Sequence, residues 1–220
     1  MALAFDAVSN AHGNGTGPFT FAHSCSGSDR LLLVLIAHYY LDDVVSGVTY
    51  NGDALTAVPN GEDNNGQFNI TLYYMVAPDT GSNTVSVSTT GSVYDIGMIA
   101  MSFTGADQST PLGTAVTATG SSTTPSVNIS SASGEIVVDG LIIVHSGTLT
   151  VGADQTQRVN TNTANAFIKY ASSTESGVSS TTMSWSNSTS QDWAIAGVAV
   201  KPVAAAPSGV RQLCLTGAGT

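Results

Sequence analysis

Short runs of strand-forming residues, separated by turn residues, recur at close intervals along this chain. In residues 84–88 (TVSVS) the valines and the hydroxyl side chains alternate, and residues 126–130 (SVNIS) do the same. A period of two is typical of a strand with one buried face. Helical periodicity with caps is absent, and Gly97, Gly140 and Gly197 within the most apolar runs would weaken helices. The pattern therefore predicts an all-β fold.

The alternation and the turn residues together predict the strand boundaries. The predicted strands cover residues 3–8, 19–24, 30–40, 47–50, 54–58, 67–77, 83–90, 93–104, 113–119, 126–130, 135–144, 156–159, 166–172, 181–186 and 192–201. Four runs are more continuously apolar and are predicted to be central strands: 31–37, 96–103, 136–144 and 194–200. A glycine inside such a strand indicates a bulge or a close approach of another group.

The turns indicate how these strands are joined. Asn51-Gly52 lies between two predicted strands, and this dipeptide favours a tight hairpin because both residues accept a positive φ. Residues 78–81 (PDTG) predict a second turn. Strands that follow one another so closely favour antiparallel pairing over a parallel α/β sheet. We therefore predict a two-sheet antiparallel β-sandwich of jelly-roll-like type.

The last residues differ from the rest of the chain. Residues 202–209 (PVAAAPSG) have the composition of a linker, and residues 210–215 (VRQLCL) form a short apolar tail. We predict one sandwich domain over residues 1–201, followed by a linker and tail over 202–220. The tail is either a frayed terminus or an arm that adds a strand to a partner. In the second case Val210, Leu213, Cys214 and Leu215 are the candidate partner-binding residues.

Charge excludes some classes of partner. Only 9% of the residues are charged, and 15 acidic residues against 5 basic ones give a net charge of −10. A chain without a basic patch is poorly suited to neutralise the phosphates of nucleic acid or to bind anionic lipid. The apolar run 31–37 is too short to span a bilayer, and the N-terminus lacks the pattern of a secretory signal. We expect no nucleic acid and no membrane among the partners.

An ordered series of segments resembles a known module. The segments are 48–56 (VTYNGDALT), 72–78 (LYYMVAP), 101–113 (MSFTGADQSTPLG), 124–140 (TPSVNISSASGEIVVDG), 183–185 (MSW) and 193–202 (WAIAGVAVKP). In this order they resemble a jelly-roll-like β-sandwich module of tailed-phage virion proteins and of large bacterial surface proteins. The resemblance implies a structural or binding role and transfers no catalytic residue. The tail after Pro202 has no counterpart in the module.

Residues of the types used in catalysis are present without a catalytic pattern. The four histidines, His12, His23, His38 and His145, come without a G-x-S-x-G elbow or a close second metal ligand. We interpret His38 and His145 as strand-end residues. The carboxylates are candidates for a pair that hydrolyses glycosides only by their type, and nearly all of them lie in turns or at strand edges, where solvated acids are expected. They are Asp42, Asp43, Glu62, Asp63, Asp95, Asp107, Glu135 and Asp139. The sequence therefore favours a protein that is not an enzyme, and a cofactor is not expected.

Three binding features stay open. Oxygen-bearing side chains in the 53–65 loops are the ligands that calcium prefers, although a plain polar loop explains them as well: Asp53, Glu62, Asp63, Asn64 and Asn65. Cys25 and Cys214 are either two free thiols or one bridge. Exposed aromatic side chains could stack on a surface glycan, whereas core packing is the alternative. The aromatic candidates are Trp185, Trp193 and the pairs Tyr39-Tyr40 and Tyr73-Tyr74, of which one member each would point outwards.

These observations lead to one expectation and one alternative. We expect a structural protein on the exterior of a virion, a capsid decoration or head-fibre subunit that contacts capsid or other virion proteins. Closed homo-oligomers are the usual arrangement of such subunits, and we expect a trimer. The alternative is a carbohydrate- or receptor-binding adhesion module.

Overall fold

The computed structural model of the chain describes residues 2–39, 43–64, 67–144 and 147–204. Within these ranges the regular structure is all β. The strands in the first part of the chain are β1 (Ala4–Thr16), β2 (Phe19–Cys25), β3 (Leu31–Tyr39), β4 (Val45–Tyr50), β5 (Asp53–Ala54), β6 (Thr56–Asn64), β7 (Phe68–Val76), β8 (Gly81–Thr89) and β9 (Ser92–Thr104). Those in the second part are β10 (Val116–Ser122), β11 (Ser126–Ser130), β12 (Ile136–Val144), β13 (Leu149–Val151), β14 (Thr156–Asn162), β15 (Ile168–Ser176), β16 (Ser180–Asn187) and β17 (Gln191–Val200).

The same strand order occurs twice. β1–β9 form a large sheet in the order β1-β9-β3-β7-β6 and a small sheet in the order β2-β8-β4-β5. β10–β17 form a large sheet in the order β10-β17-β12-β15-β14 and a small sheet in the order β11-β16-β13. The two orders correspond strand by strand, and β5 is the one addition. We call β1–β9 the N-terminal half and β10–β17 the C-terminal half.

Each half is rolled up in the same way. In both, the first strand pairs with the last, the second with the last but one, and every ladder is antiparallel. A hairpin that wraps so that its outer strands meet is the construction of a jelly roll. The predicted antiparallel, jelly-roll-like β-sandwich is therefore confirmed.

The two halves pack through their large sheets, which makes a stack of four sheets where the sequence predicted two. One apolar core lies between the large sheets and includes Leu33, Ile99 and Ile142. A second core lies inside the N-terminal half and a third inside the C-terminal half. The four continuously apolar runs are β3, β9, β12 and β17, which occupy central positions as predicted. They are apolar at almost every residue because both faces of a large sheet are covered.

Glycines allow the large sheets to approach each other. A Cβ added to Gly140 would lie 1.6 Å from Leu35 Cδ1, and one added to Gly97 would lie 2.3 Å from Tyr170 Cγ. Leu35 and Gly140 are each the fifth residue of corresponding strands, β3 and β12. Likewise β9 contacts β15, and their counterparts β17 and β7 contact each other. Reciprocal contacts of this kind are those of a two-fold interface, here formed within one chain.

The local sequence signals predicted the structure correctly where they were strong. Asn51 and Gly52 have φ values of 52° and 91°, as the predicted hairpin requires. β13 was missed because a strand of three residues carries too little pattern.

The end of the described chain is anchored to the segment between the halves. Lys201 and Val203 donate backbone hydrogen bonds to Pro111 and Gly105, so the ordered backbone continues to Val203. The candidate partner-binding residues of the tail, Val210, Leu213, Cys214 and Leu215, lie outside the described residues.

Candidate functional site

Two of the three large hydrophobic side chains that are exposed in the described residues lie together at the seam between the halves. Tyr94 is 54% exposed and Phe167 is 36% exposed; the third, Val178, lies elsewhere and is 53% exposed. The ring centroids of Tyr94 and Phe167 are 5.7 Å apart, with the rings nearly perpendicular. Tyr39 lies beside both, with centroids 4.5 Å from Phe167 and 6.1 Å from Tyr94. We call Tyr39, Tyr94 and Phe167 the aromatic patch.

A β-bulge turns Tyr94 towards solvent. β1 pairs with β9 so that Gly13 faces Ile96 and Gly15 faces Val93, which leaves one extra residue on β9 between these pairs. An extra residue interrupts the alternation of a strand and redirects the side chains next to it. Tyr94 is exposed at this point, whereas the next residue, Asp95, is fully buried.

Asp95 fixes the part of the patch that belongs to the C-terminal half. Its two carboxylate oxygens accept hydrogen bonds from the backbone N–H of Asn165 at 2.9 Å and of Phe167 at 3.2 Å. The side-chain amide of Asn165 donates to the carbonyl of Tyr94 at 2.6 Å. The turn between β14 and β15 is thus tied to β9 by three hydrogen bonds, and the position of Phe167 depends on the packing of the halves.

A shallow groove of about 530 Å³ adjoins the patch. It is lined by Asn14, Gly15, Ser92, Val93, Tyr94 and Asn165. This lining offers amide and hydroxyl groups that donate and accept hydrogen bonds, and none of its side chains is charged. Aromatic rings beside neutral hydrogen-bonding groups can bind a ligand.

A second group of polar side chains lies in the N-terminal half, on the face of its large sheet that is turned away from the C-terminal half. His38 is buried and its Nε2 is 3.7 Å from Asp43 Oδ1. Among the described residues, neither ring nitrogen has a hydrogen-bond partner. The amide nitrogen of the buried Asn69, directly across from His38 on β7, also lacks a partner. The neighbouring His38 imidazole lowers the pKa of Asp43, whereas burial and the Asp43 charge raise the pKa of Glu62. These shifts mark the group as electrostatically coupled.

The histidines do not converge in the described residues. His12 lies beside Tyr170, His23 donates to or accepts from Ser9 at 3.1 Å, and His38 faces Asp43. Burial lowers the pKa of His23 to about 4, so this imidazole is neutral at pH 7. His145 lies outside the described residues.

The candidate calcium ligands are not brought together. Among the described residues, no group of three or more His, Cys, Asp or Glu side chains is placed to hold a metal ion. Asp53 lies in the small sheet beside Tyr50, whereas Glu62 and Asp63 lie on β6 of the large sheet. Asn64 ends β6, and Asn65 is outside the described residues.

Within the described part of the chain we find no helix with the length and apolar character to cross a bilayer.

The aromatic residues proposed from sequence occupy other positions. Trp185 and Trp193 are only 2% and 7% exposed and belong to the core of the C-terminal half, so their core interpretation is the correct one. Tyr73 and Tyr74 point to opposite faces of β7, as expected, and both are half-buried: Tyr73 packs against the core of the N-terminal half and Tyr74 against the core between the large sheets. Tyr39 is partly exposed in the patch, and Tyr40 is outside the described residues.

Cys25 is a buried free thiol.

The sequence did not single out Tyr94, Phe167 or Asn165. Phe167 was placed inside a predicted strand, where an aromatic residue is ordinary. The one available signal was an aromatic residue shortly after a polar stretch, residues 160–165 (NTNTAN), with Ala166 between them. Comparison of the chain with protein-family models, with curated proteins and with solved structures found no match.

Proposed function

We propose that this chain is a non-enzymatic structural protein on the exterior of a virion, a capsid decoration or head-fibre subunit. The observation that carries the proposal is the use of buried polar groups to hold the body together. Asp95 ties one half to the other, and Asp139 accepts hydrogen bonds from Trp185 Nε1 at 2.7 Å and from the backbone N–H of Ser173 at 2.6 Å. Carboxylates satisfied in this way stiffen a scaffold.

The architecture fits such a role. Three stacked cores give a rigid body, and its low charge leaves a surface dominated by neutral polar groups. We propose that one end of the body contacts capsid or neighbouring subunits in a closed homo-oligomer, with a trimer as the favoured form. The tail at Val210, Leu213, Cys214 and Leu215 is proposed to add a strand to that contact.

Particle association tests this proposal. An antiserum against the purified chain is used to follow it through density-gradient centrifugation of material from its source. We expect the chain to band with particles and to stay with them at moderate salt. A chain found only in the soluble fractions at the top of the gradient would contradict a virion role.

A deletion separates the tail from the body. The variant lacking residues 205–220 keeps every described hydrogen bond up to Val203, so it should fold and show an unchanged β spectrum by circular dichroism. We expect it to lose its binding to particles stripped of the native protein. Equal occupancy by the full chain and the deletion variant would reject the proposed role of the tail.

A second candidate function is a carbohydrate-binding adhesion module. The aromatic patch and its neutral groove are the observation that favours it. The burial of Trp185 and Trp193 removes these two residues as a sugar-binding platform.

A further inference from the structure

We infer that the aromatic patch and the adjoining groove form a binding site for a neutral sugar. This inference names the ligand class and the residues for the second candidate function and rests on that function. Tyr94 and Phe167 are the stacking residues, and Asn14, Ser92 and Asn165 supply hydrogen bonds.

The exposed rings need a partner of suitable shape. Apart from Val178, the other large hydrophobic side chains of the described residues are at least partly buried. The rings of Tyr94 and Phe167 are nevertheless exposed, with their centroids 5.7 Å apart. Grouped exposed rings mark binding surfaces in soluble proteins. A pyranose presents a face of C–H groups that packs on an aromatic ring, with hydroxyl groups around its edge. The patch and its polar rim match these two surfaces.

The charge of the lining selects a neutral ligand. Amides and a hydroxyl both donate and accept, which suits sugar hydroxyls. Asp95 is the carboxylate nearest in sequence, but it is fully buried and both its oxygens accept hydrogen bonds from the turn. A sialylated or sulfated glycan would find no cationic side chain in the groove lining. The site is therefore complementary to uncharged hexose or N-acetylhexosamine residues.

The site is also formed in advance of binding. Three hydrogen bonds fix the turn that carries Asn165 and Phe167 against β9. A loop that is already ordered loses little conformational entropy when a ligand binds. The site does not need a second chain to assemble.

Immobilised oligosaccharides test the inference. The full chain is applied to neutral glycans of glucose, galactose, mannose and N-acetylglucosamine, with sialylated and sulfated glycans for comparison. We expect binding to a neutral glycan, which is then titrated by calorimetry. Tyr94→Ala and Phe167→Ala should each weaken it about tenfold, as expected for the loss of one stacking ring. Val178→Ala is the control, because Val178 is as exposed as Tyr94 but follows the opposite end of β15 from Phe167.

Backbone amide shifts give a readout that does not depend on the variants. On addition of the bound oligosaccharide, the amides of Asn165 and Phe167 should shift while that of Val178 should not. Absence of neutral-glycan binding, binding of charged glycans alone, or unchanged affinity in both patch variants would overturn the inference. So would a patch variant that changes the sedimentation coefficient, which would assign the patch to contacts between copies. Particle association is measured separately, so either proposal can fail alone.

Discussion

Leu35 and Gly140 allow a direct test of how the halves pack. The two residues occupy corresponding positions in β3 and β12 and face each other across the central core. A methyl group added to Gly140 would lie 1.6 Å from Leu35 Cδ1, whereas carbon atoms in ordinary contact are about 3.5–4.0 Å apart. Gly140→Ala therefore forces the buried leucine or the sheets to move by roughly 2 Å.

The expected energies follow from packing. Gly140→Ala should lower the free energy of unfolding by about 1–3 kcal/mol, as overpacked cores do. Leu35→Ala should lower it by about 2–5 kcal/mol, because it leaves a cavity. In the double variant the added methyl enters the space that the leucine vacates and regains about 1 kcal/mol. The double variant should therefore be more stable than the sum of the single changes predicts, by roughly 2–4 kcal/mol.

Urea unfolding followed by the fluorescence of Trp185 and Trp193 measures these energies, since both side chains are buried in the C-terminal half. Gly47→Ala is the matched control, because an added Cβ there meets no atom within 4 Å. Its free energy of unfolding should stay constant or rise by about 0.4–1 kcal/mol. Additive effects of Leu35→Ala and Gly140→Ala, within about 0.5 kcal/mol, would refute the packing of the two large sheets described above.

Three further predictions concern buried carboxylates and the half-to-half contact. Burial raises the pKa of Asp139 to about 7, against hydrogen bonds from Trp185 and Ser173 that lower it. The folded-state pKa therefore lies above the unfolded one, so stabilisation by the protonated carboxyl is complete below about pH 4 and is lost as the pH rises through about 7. The urea midpoint of the wild type should thus fall more steeply between these pH values than that of Asp139→Asn, and parallel curves would contradict this. Asp95→Ala leaves two turn N–H groups without acceptors, so amide exchange at Asn165 and Phe167 should accelerate, by about tenfold or more, while the central strands stay protected; uniform acceleration would show global destabilisation instead. Gly97→Ala should destabilise the chain by about 1–3 kcal/mol through its clash with Tyr170, as measured by thermal unfolding, and Tyr170→Phe should not relieve it because the clash involves the ring.

The sequence predicted the strands well because their signal is local. Alternation in residues 84–88 and 126–130, the Asn51-Gly52 turn and the four apolar runs each depend on neighbouring residues only. The four strands predicted to be central, β3, β9, β12 and β17, occupy central positions for this reason. The continuous apolar character of β3 and β12 also indicates that both faces of these strands are covered. It predicts a central position in a two-sheet sandwich, but a further sheet that covers the outer face explains it more fully.

The candidate site could not be predicted in the same way, because its residues come from distant parts of the chain. Pairing of β3 with β9 brings Tyr39 beside Tyr94, and Phe167 joins them only when the halves pack. The carboxylate that holds the turn is 70 residues away from Asn165. The bulge that exposes Tyr94 depends on the register between β1 and β9. By itself the sequence determined the fold class and most of the strands, since side-chain alternation and turn chemistry are short-range properties. The tertiary structure alone decided the duplication, the stack of four sheets and the aromatic patch, since these depend on which apolar faces find each other.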